Sequence, residues 1–217
     1  MKSKQSYQLR GSFALLLFVI LGYVVKFYPE QLTSFDSSLQ ASLRGNLPSL
    51  ATSLFRAVTV LCNPWVITVW GGSLVLFFSF VKKWRLEALF LLINLVGAGL
   101  LVKLIKPLYA RPRPSISHLV TETGFSFPSG HSLAATLVFG TLIILVQQRV
   151  QHQVFKRFLQ IVLAGLIATI LLSRVYLGVH YPSDVTAGFL FGFGLLQLEF
   201  PFYDEWRFKA RFQGKQP

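Results

Sequence analysis

The chain has 217 residues and a formal net charge of +13, with 53% hydrophobic and only 13% charged residues. Soluble domains carry roughly 25% charged residues, so a water-soluble fold is a poor reading, and a mean hydropathy of +0.56 makes a bilayer the natural solvent. The single cysteine, Cys62, excludes an internal disulfide and a cysteine-built metal cluster.

Five stretches approach the roughly 20 apolar residues needed to cross a hydrocarbon core. They are Phe13 to Tyr28, Trp65 to Val81, Leu86 to Ile105, His131 to Val146 and Phe158 to Leu172. A sixth, Val185 to Phe200, contains Gly188, Gly192 and Gly194, which suit close helix packing in lipid. The expected fold is all-α, one polytopic domain over residues 1–217 with six transmembrane helices. The basic start before the first span also fits a cleaved leader, but no small-residue cleavage pattern follows and its loss would break the even span count.

In a soluble chain this charge would suggest nucleic-acid binding, so its placement decides. Lys2, Lys4, Arg10, Lys82, Lys83, Arg85, Arg149, Lys156, Arg157, Arg207, Lys209, Arg211 and Lys215 make 13 of the 21 basic residues. All fall on one side of a six-span chain, which the positive-inside rule makes cytoplasmic. The expectation is a multi-pass cell-membrane protein with the bilayer, not nucleic acid, as its partner. Both termini are then cytoplasmic, and the segments after spans one, three and five face outward.

The first outward segment, Pro29 to Leu50, repeats Leu32, Phe35, Leu39 and Leu43 at helical spacing. It reads either as an amphipathic helix on the membrane surface or as a connecting loop with one packed face. The second begins with Lys106 at the end of span three and runs through Arg111-Pro112-Arg113-Pro114. The prolines hold this stretch extended, presenting cations with no close acid in sequence before Glu122. A phosphate suits the guanidinium fork, although lipid headgroups alone would also account for the charges. Phe127-Pro128-Ser129-Gly130-His131 follows, with Ser129 placed to cap the next helix and exposed N–H groups at its start forming an anion site. An ordinary capped helix fits those residues equally.

The third outward segment contains Ser173-Arg174 and then Gly178, His180, Pro182 and Asp184. Gly178 and Pro182 break two helices, setting His180 in the turn and Asp184 in the following helical turn. Asp184 is placed to hold one imidazole nitrogen and leave the other to attack. A purely structural Asp–His pair is the alternative, but it leaves unexplained Arg174, a charge at a span end with no matching acid nearby in sequence.

Together these three segments resemble the signature of the type 2 phosphatidic acid phosphatase superfamily: Lys106, six residues, Arg113-Pro114; then Pro128-Ser129-Gly130-His131; then Ser173-Arg174, five residues, His180, three residues, Asp184. The match covers residues 106–184 directly, and the flanking spans agree in number and topology. The resemblance implies a six-helix membrane lipid phosphatase in which His180 is a nucleophile, Asp184 its orienting partner and His131 the acid and base. Lys106, Arg113, Ser129, Gly130 and Arg174 are implied to cradle the phosphate. No metal and no cofactor are expected, since eight acids in the whole chain are few for a two-metal site.

The implied substrate is a lipid phosphate or pyrophosphate in the outer leaflet, undecaprenyl pyrophosphate for a bacterial source. Phosphatidylglycerophosphate and phosphatidate are the alternatives. Lys103, one turn before Lys106, is positioned to meet a second phosphate or simply to snorkel. A noncatalytic anionic-lipid binder or transporter would need the cations but not His180 and Asp184.

Overall fold

The structure, a computed structural model, describes residues 4–212, so Lys2 and Lys215 of the charge argument lie outside the described residues. Eight α-helices follow in order: α1 Lys4–Phe27, α2 Glu30–Arg44, α3 Ser49–Thr59, α4 Pro64–Phe80, α5 Arg85–Tyr109, α6 Gly130–Arg149, α7 Gln153–Tyr176 and α8 Pro182–Phe212. No strand occurs among the described residues. α1, α5, α6, α7 and α8 are each long and apolar enough to cross a membrane, and the bent pair α3 and α4 makes a sixth span if taken as one.

Span two lies within one residue of its expected bounds as α4, and it is preceded by α3, a helix not expected as part of it, the two meeting at 57°. Proline at the first position starts a helix readily but ends the preceding one, and Asn63 sits extended at the break. The outward segment forms a helix, α2, in keeping with the first of its two readings, and it packs on the bundle through polar residues. Phe35 and Leu39 are exposed, whereas Asp36 and Gln40 are buried.

Consecutive spans alternate in direction, so the connections collect at two ends. At one end Arg149 of α6 and Arg207 of α8 converge on Glu87 of α5. At the other, Asp36 of α2, Arg111 and Asp184 of α8 form a chain of ion pairs. The helices between come close enough to exclude side chains at some crossings. A Cβ on Gly188 of α8 would lie 2.6 Å from the Ser129 carbonyl oxygen and 2.9 Å from Ser132 Cβ, so only glycine allows α8 to approach the start of α6 this closely.

The long segment between α5 and α6 is tied down rather than free. Ala110 adopts the left-handed conformation, its N–H donating to Lys106 O at 2.9 Å, and ends α5. Phe127, fully buried, lies 4.6 Å in ring-centroid distance from Tyr109 and 6.1 Å from Phe18. Burial of such a side chain contributes roughly 1.5–3 kcal/mol. The Ser126 N–H donates to Arg111 O at 2.8 Å, closing the segment on itself.

Candidate active site

Gly178, at φ +81°, makes the turn between α7 and α8 and sets His180 in the interior. Asp184 lies in the first turn of α8 with no exposed surface. His180 Nδ1 is 3.4 Å from Asp184 Oδ2, and Nε2 is 3.4 Å from Arg113 Nη1. With Nδ1–H donating to the carboxylate, the free lone pair is on Nε2. Burial, followed by the charges of Arg174, Lys106 and Arg113, holds the proton affinity of His180 well below the ordinary histidine value. The ring is therefore kept neutral, as a nitrogen nucleophile must be.

His180 and His131 face one cavity of about 230 Å³, which Lys106, Lys103, Gly130 and Glu122 also line. Its remaining wall is apolar, built from Ile67 of α4, Leu95, Ala98 and Val102 of α5, and Ala134 of α6. His131 Nε2 lies 3.0 Å from Asn63 Oδ1, so the neutral ring carries its proton on Nε2. Nδ1 is 3.9 Å from Glu122 Oε1. The break before α4 thus has a local purpose, since it puts the Asn63 amide beside His131.

Of the cations expected to hold phosphate, Lys106 lines this cavity, Arg113 approaches His180 and Arg174 pairs with Glu122 of the cavity wall, each already bonded. Lys106 Nζ donates to Phe125 O at 2.7 Å. Arg113 donates to the carbonyls of Val179, Thr123 and Gly124 at 2.8, 2.9 and 3.1 Å. Arg174, 1% exposed, donates to Thr59 Oγ1 at 2.7 Å and to the Glu122 carboxylate, while its buried Nε has no hydrogen-bond partner. Ser129 caps α6, accepting from Ser132 Oγ at 2.9 Å and Ser132 N at 3.4 Å, which leaves its own hydroxyl proton to donate.

The sequence-based picture of cations without acids is therefore wrong in two places. Glu122 pairs with Arg174 and lies 3.6 Å from Arg113, so a carboxylate sits within the cationic group. Arg111 is not an open anion receptor: it lies between Asp184, at 2.6 Å, and Asp36, at 2.8 Å, with its guanidinium 4.0 Å from the Tyr181 ring centroid. Asp36, Asn63 and the pairing of Glu122 escaped the sequence because each joins residues distant in the chain. Only the i, i+4 spacing of Asp36 and Gln40 offered a trace of a polar helix face. Among the described residues, no three His, Cys, Asp or Glu side chains gather as a metal site.

Comparison with known proteins identifies the family and the fold. The PAP2 superfamily profile matches residues 87–208. Phosphatidylglycerophosphatase B of Bacillus subtilis is 31% identical over 182 residues, covering 76% of this chain and 89% of the relative. The undecaprenyl-diphosphatase of Sulfolobus acidocaldarius is 29% identical over 187 residues, covering 82% and 84%. The crystal structure of a transmembrane PAP2-type phosphatidylglycerolphosphate phosphatase from Bacillus subtilis superposes with a TM-score of 0.80 at 26% identity, over 90% of this chain and 96% of that one. With a family match over more than half its length and a multi-pass helical fold of the same kind, this chain belongs to the PAP2 superfamily and is a membrane hydrolase of lipid phosphates.

Proposed function

We propose that the protein removes the terminal phosphate of an outer-leaflet lipid through a phosphohistidine at His180, with undecaprenyl pyrophosphate as substrate. The observation that carries this reading is the cavity itself. Its lining combines the two imidazoles with Lys103 and Lys106 and an apolar wall that suits a lipid chain, which supports the reading.

His180 Nε2 attacks phosphorus in line while the bond to the leaving oxygen breaks. Protonated His131 donates the Nδ1 proton to that oxygen. Asp184 stabilises the positive charge that develops on His180. Water then attacks the phosphohistidine, His131 takes its proton, the N–P bond breaks and phosphate departs. Lys106, Arg113, Arg174, the Ser129 hydroxyl and the Gly130 N–H meet the charge spread over the phosphoryl oxygens. The orphaned Arg174 Nε is a donor suited to that task. Release of Arg174 and Arg113 from Glu122 accompanies phosphate binding. No residue role in this scheme requires a metal.

Lys103 favours a pyrophosphate, because it lines the same cavity one helical turn from Lys106. Phosphatidylglycerophosphate is the second reading, favoured by the name of the 31% identical Bacillus relative. A phosphate-release panel with purified protein tests the choice, comparing undecaprenyl pyrophosphate, phosphatidylglycerophosphate, phosphatidate and a soluble ester. A preference for phosphatidylglycerophosphate of tenfold or more in kcat/KM overturns the pyrophosphate assignment. Loss of activity in EDTA with recovery in Mg²⁺ overturns the metal-free mechanism. Outward orientation is tested in a Cys62→Ala background with a cysteine replacing Thr121. Labelling only from the cytoplasmic side reverses the topology.

A further inference from the structure

We infer that helix α2 belongs to the catalytic apparatus, with Asp36 as a positioning residue that fixes the Asp184 carboxylate against His180 through both Arg111 and Ser183. The inference rests on His180 acting as nucleophile, and it assigns a function to a segment outside the three motifs.

Asp36 is 2% exposed on an otherwise largely exposed helix. Its carboxylate makes three contacts, all to the neighbourhood of Asp184. Oδ2 accepts from Arg111 Nη2 at 2.8 Å and from Ser183 Oγ at 2.7 Å, and Oδ1 accepts from the Ser183 N–H at 2.9 Å. Arg111 Nη1 donates to Asp184 Oδ1 at 2.6 Å and to Ser183 Oγ at 2.7 Å. Asp184 Oδ2 is left for the Tyr181 N–H at 3.0 Å and His180 Nδ1 at 3.4 Å. Gln40, one turn along α2, donates to the His180 carbonyl at 3.4 Å.

The geometry is directional. Asp36 holds the backbone immediately before Asp184 and, through Arg111, one oxygen of its side chain, so the other oxygen faces the Tyr181 N–H and His180. The charge count leads to the same assignment. Arg111 with Asp184 alone would be a neutral pair, weak as a partner for the imidazolium that forms during attack. Adding Asp36 leaves one net negative charge in a buried, low-dielectric chain that ends at His180. Asp36 and Arg111 reach the site through Ser183 and Asp184, and neither lines the cavity shared by the two histidines.

The test compares purified wild type with Asp36→Asn, Arg111→Gln, the double variant and Ser183→Ala, using phosphate release from undecaprenyl pyrophosphate and from phosphatidylglycerophosphate. Ser38→Ala, on the exposed side of α2, is the control expected to match wild type. Asp36→Asn keeps the shape while removing the charge and one of the two acceptor oxygens. It is expected to lower kcat by about 10–100-fold, the range for residues that orient a reacting group, with KM within about twofold. The double variant is expected to lose much less than the product of the two single losses, because both act through Asp184.

A kcat for Asp36→Asn within twofold of wild type, a loss confined to KM or to thermal stability, or multiplicative single losses would each overturn the assignment. Should Asp36→Asn fail to fold, Ser183→Ala applies the same kcat and KM criterion. His180→Ala separates the two claims: a surviving phosphoenzyme in that variant removes the nucleophile assignment, whatever Asp36 does.

Discussion

At the end of the bundle remote from the cavity, Glu87 of α5 accepts from Arg149 at 2.6 Å and from the Tyr203 hydroxyl at 3.2 Å, with Arg207 at 3.3 Å. At the cavity end, Asp184 accepts from Arg111 at 2.6 Å, and Glu122 binds Arg174. Both ends use a fully buried carboxylate, Glu87 or Asp184, paired with arginines distant in the chain, yet they differ in one chemical respect. The remote cluster pairs permanent charges with one another and with Trp84, whose ring centroid is 5.2 Å from the Arg149 guanidinium. The cavity cluster adds His131 and His180, whose neutral nitrogens can form and break bonds. Buried ion pairs alone build scaffold, and the same pairs become machinery when an imidazole is hung on them and a cavity opens beside it.

The sharpest way to break that contrast is His180→Ala. It is expected to reduce kcat by at least about 1000-fold, the scale seen when a nucleophile is removed, and to abolish the acid-quenched phosphoenzyme while leaving the thermal melt in place. A variant that still traps labelled phosphate would move the nucleophile elsewhere. Glu87→Gln is the mirror experiment. Stranding two buried guanidiniums should cost about 3–5 kcal/mol and lower Tm by roughly 10 °C, while kcat of the folded fraction stays within twofold. Loss of turnover without loss of stability would mean that the two ends are coupled.

The pH profile sharpens the comparison further. His180 lies among Arg113, Arg174, Lys106, His131 and Asp184, and burial with the three cations depresses its proton affinity. The neutral, nucleophilic ring is the form above that lowered value, so turnover should persist as pH falls through the ordinary histidine range and fail only below it. The linked stability has the same sign: present above the unfolded histidine value and lost as pH falls from there toward the folded one. An acid limb at or above the ordinary histidine value, measured in kcat/KM, would contradict the burial argument. The smallest effect is expected from Lys103→Met, which should weaken kcat/KM for undecaprenyl pyrophosphate several-fold more than for phosphatidylglycerophosphate. Equal losses would leave Lys103 a snorkelling lysine.

How much of this was legible in the chain follows from the range of each signal. Apolar runs are local, so six spans were readable, the sixth from a weaker run, and the positions of Lys106, Arg113, Ser129, His131, Arg174, His180 and Asp184 stood out because each motif is short. Ion pairs across the bundle are not local. Nothing near Arg111 announces Asp36, which is 75 residues away, and nothing near Arg174 announces that Glu122 will reach it. The bend at Asn63 was hidden for another reason. A hydropathy window averages over α3 and α4 and has no means of seeing an angle. The apolar periodicity of α2 announced the helix, but not that Asp36 and Gln40 beside the stripe are what the fold buries.

The break before α4 also shapes the lipid. α4 has 17 residues and rises about 25 Å, short of the roughly 30 Å of a hydrocarbon core. The freed carbonyl of Leu61 is satisfied by Trp70 Nε1 at 2.9 Å, so the break is stable where it stands. A short helix is accommodated by local thinning of the bilayer, and Ile67 of this same helix walls the cavity together with Leu95 and Val102. A leaflet thinned along that flank would bring lipid headgroups nearer the midplane and shorten their path to the cavity.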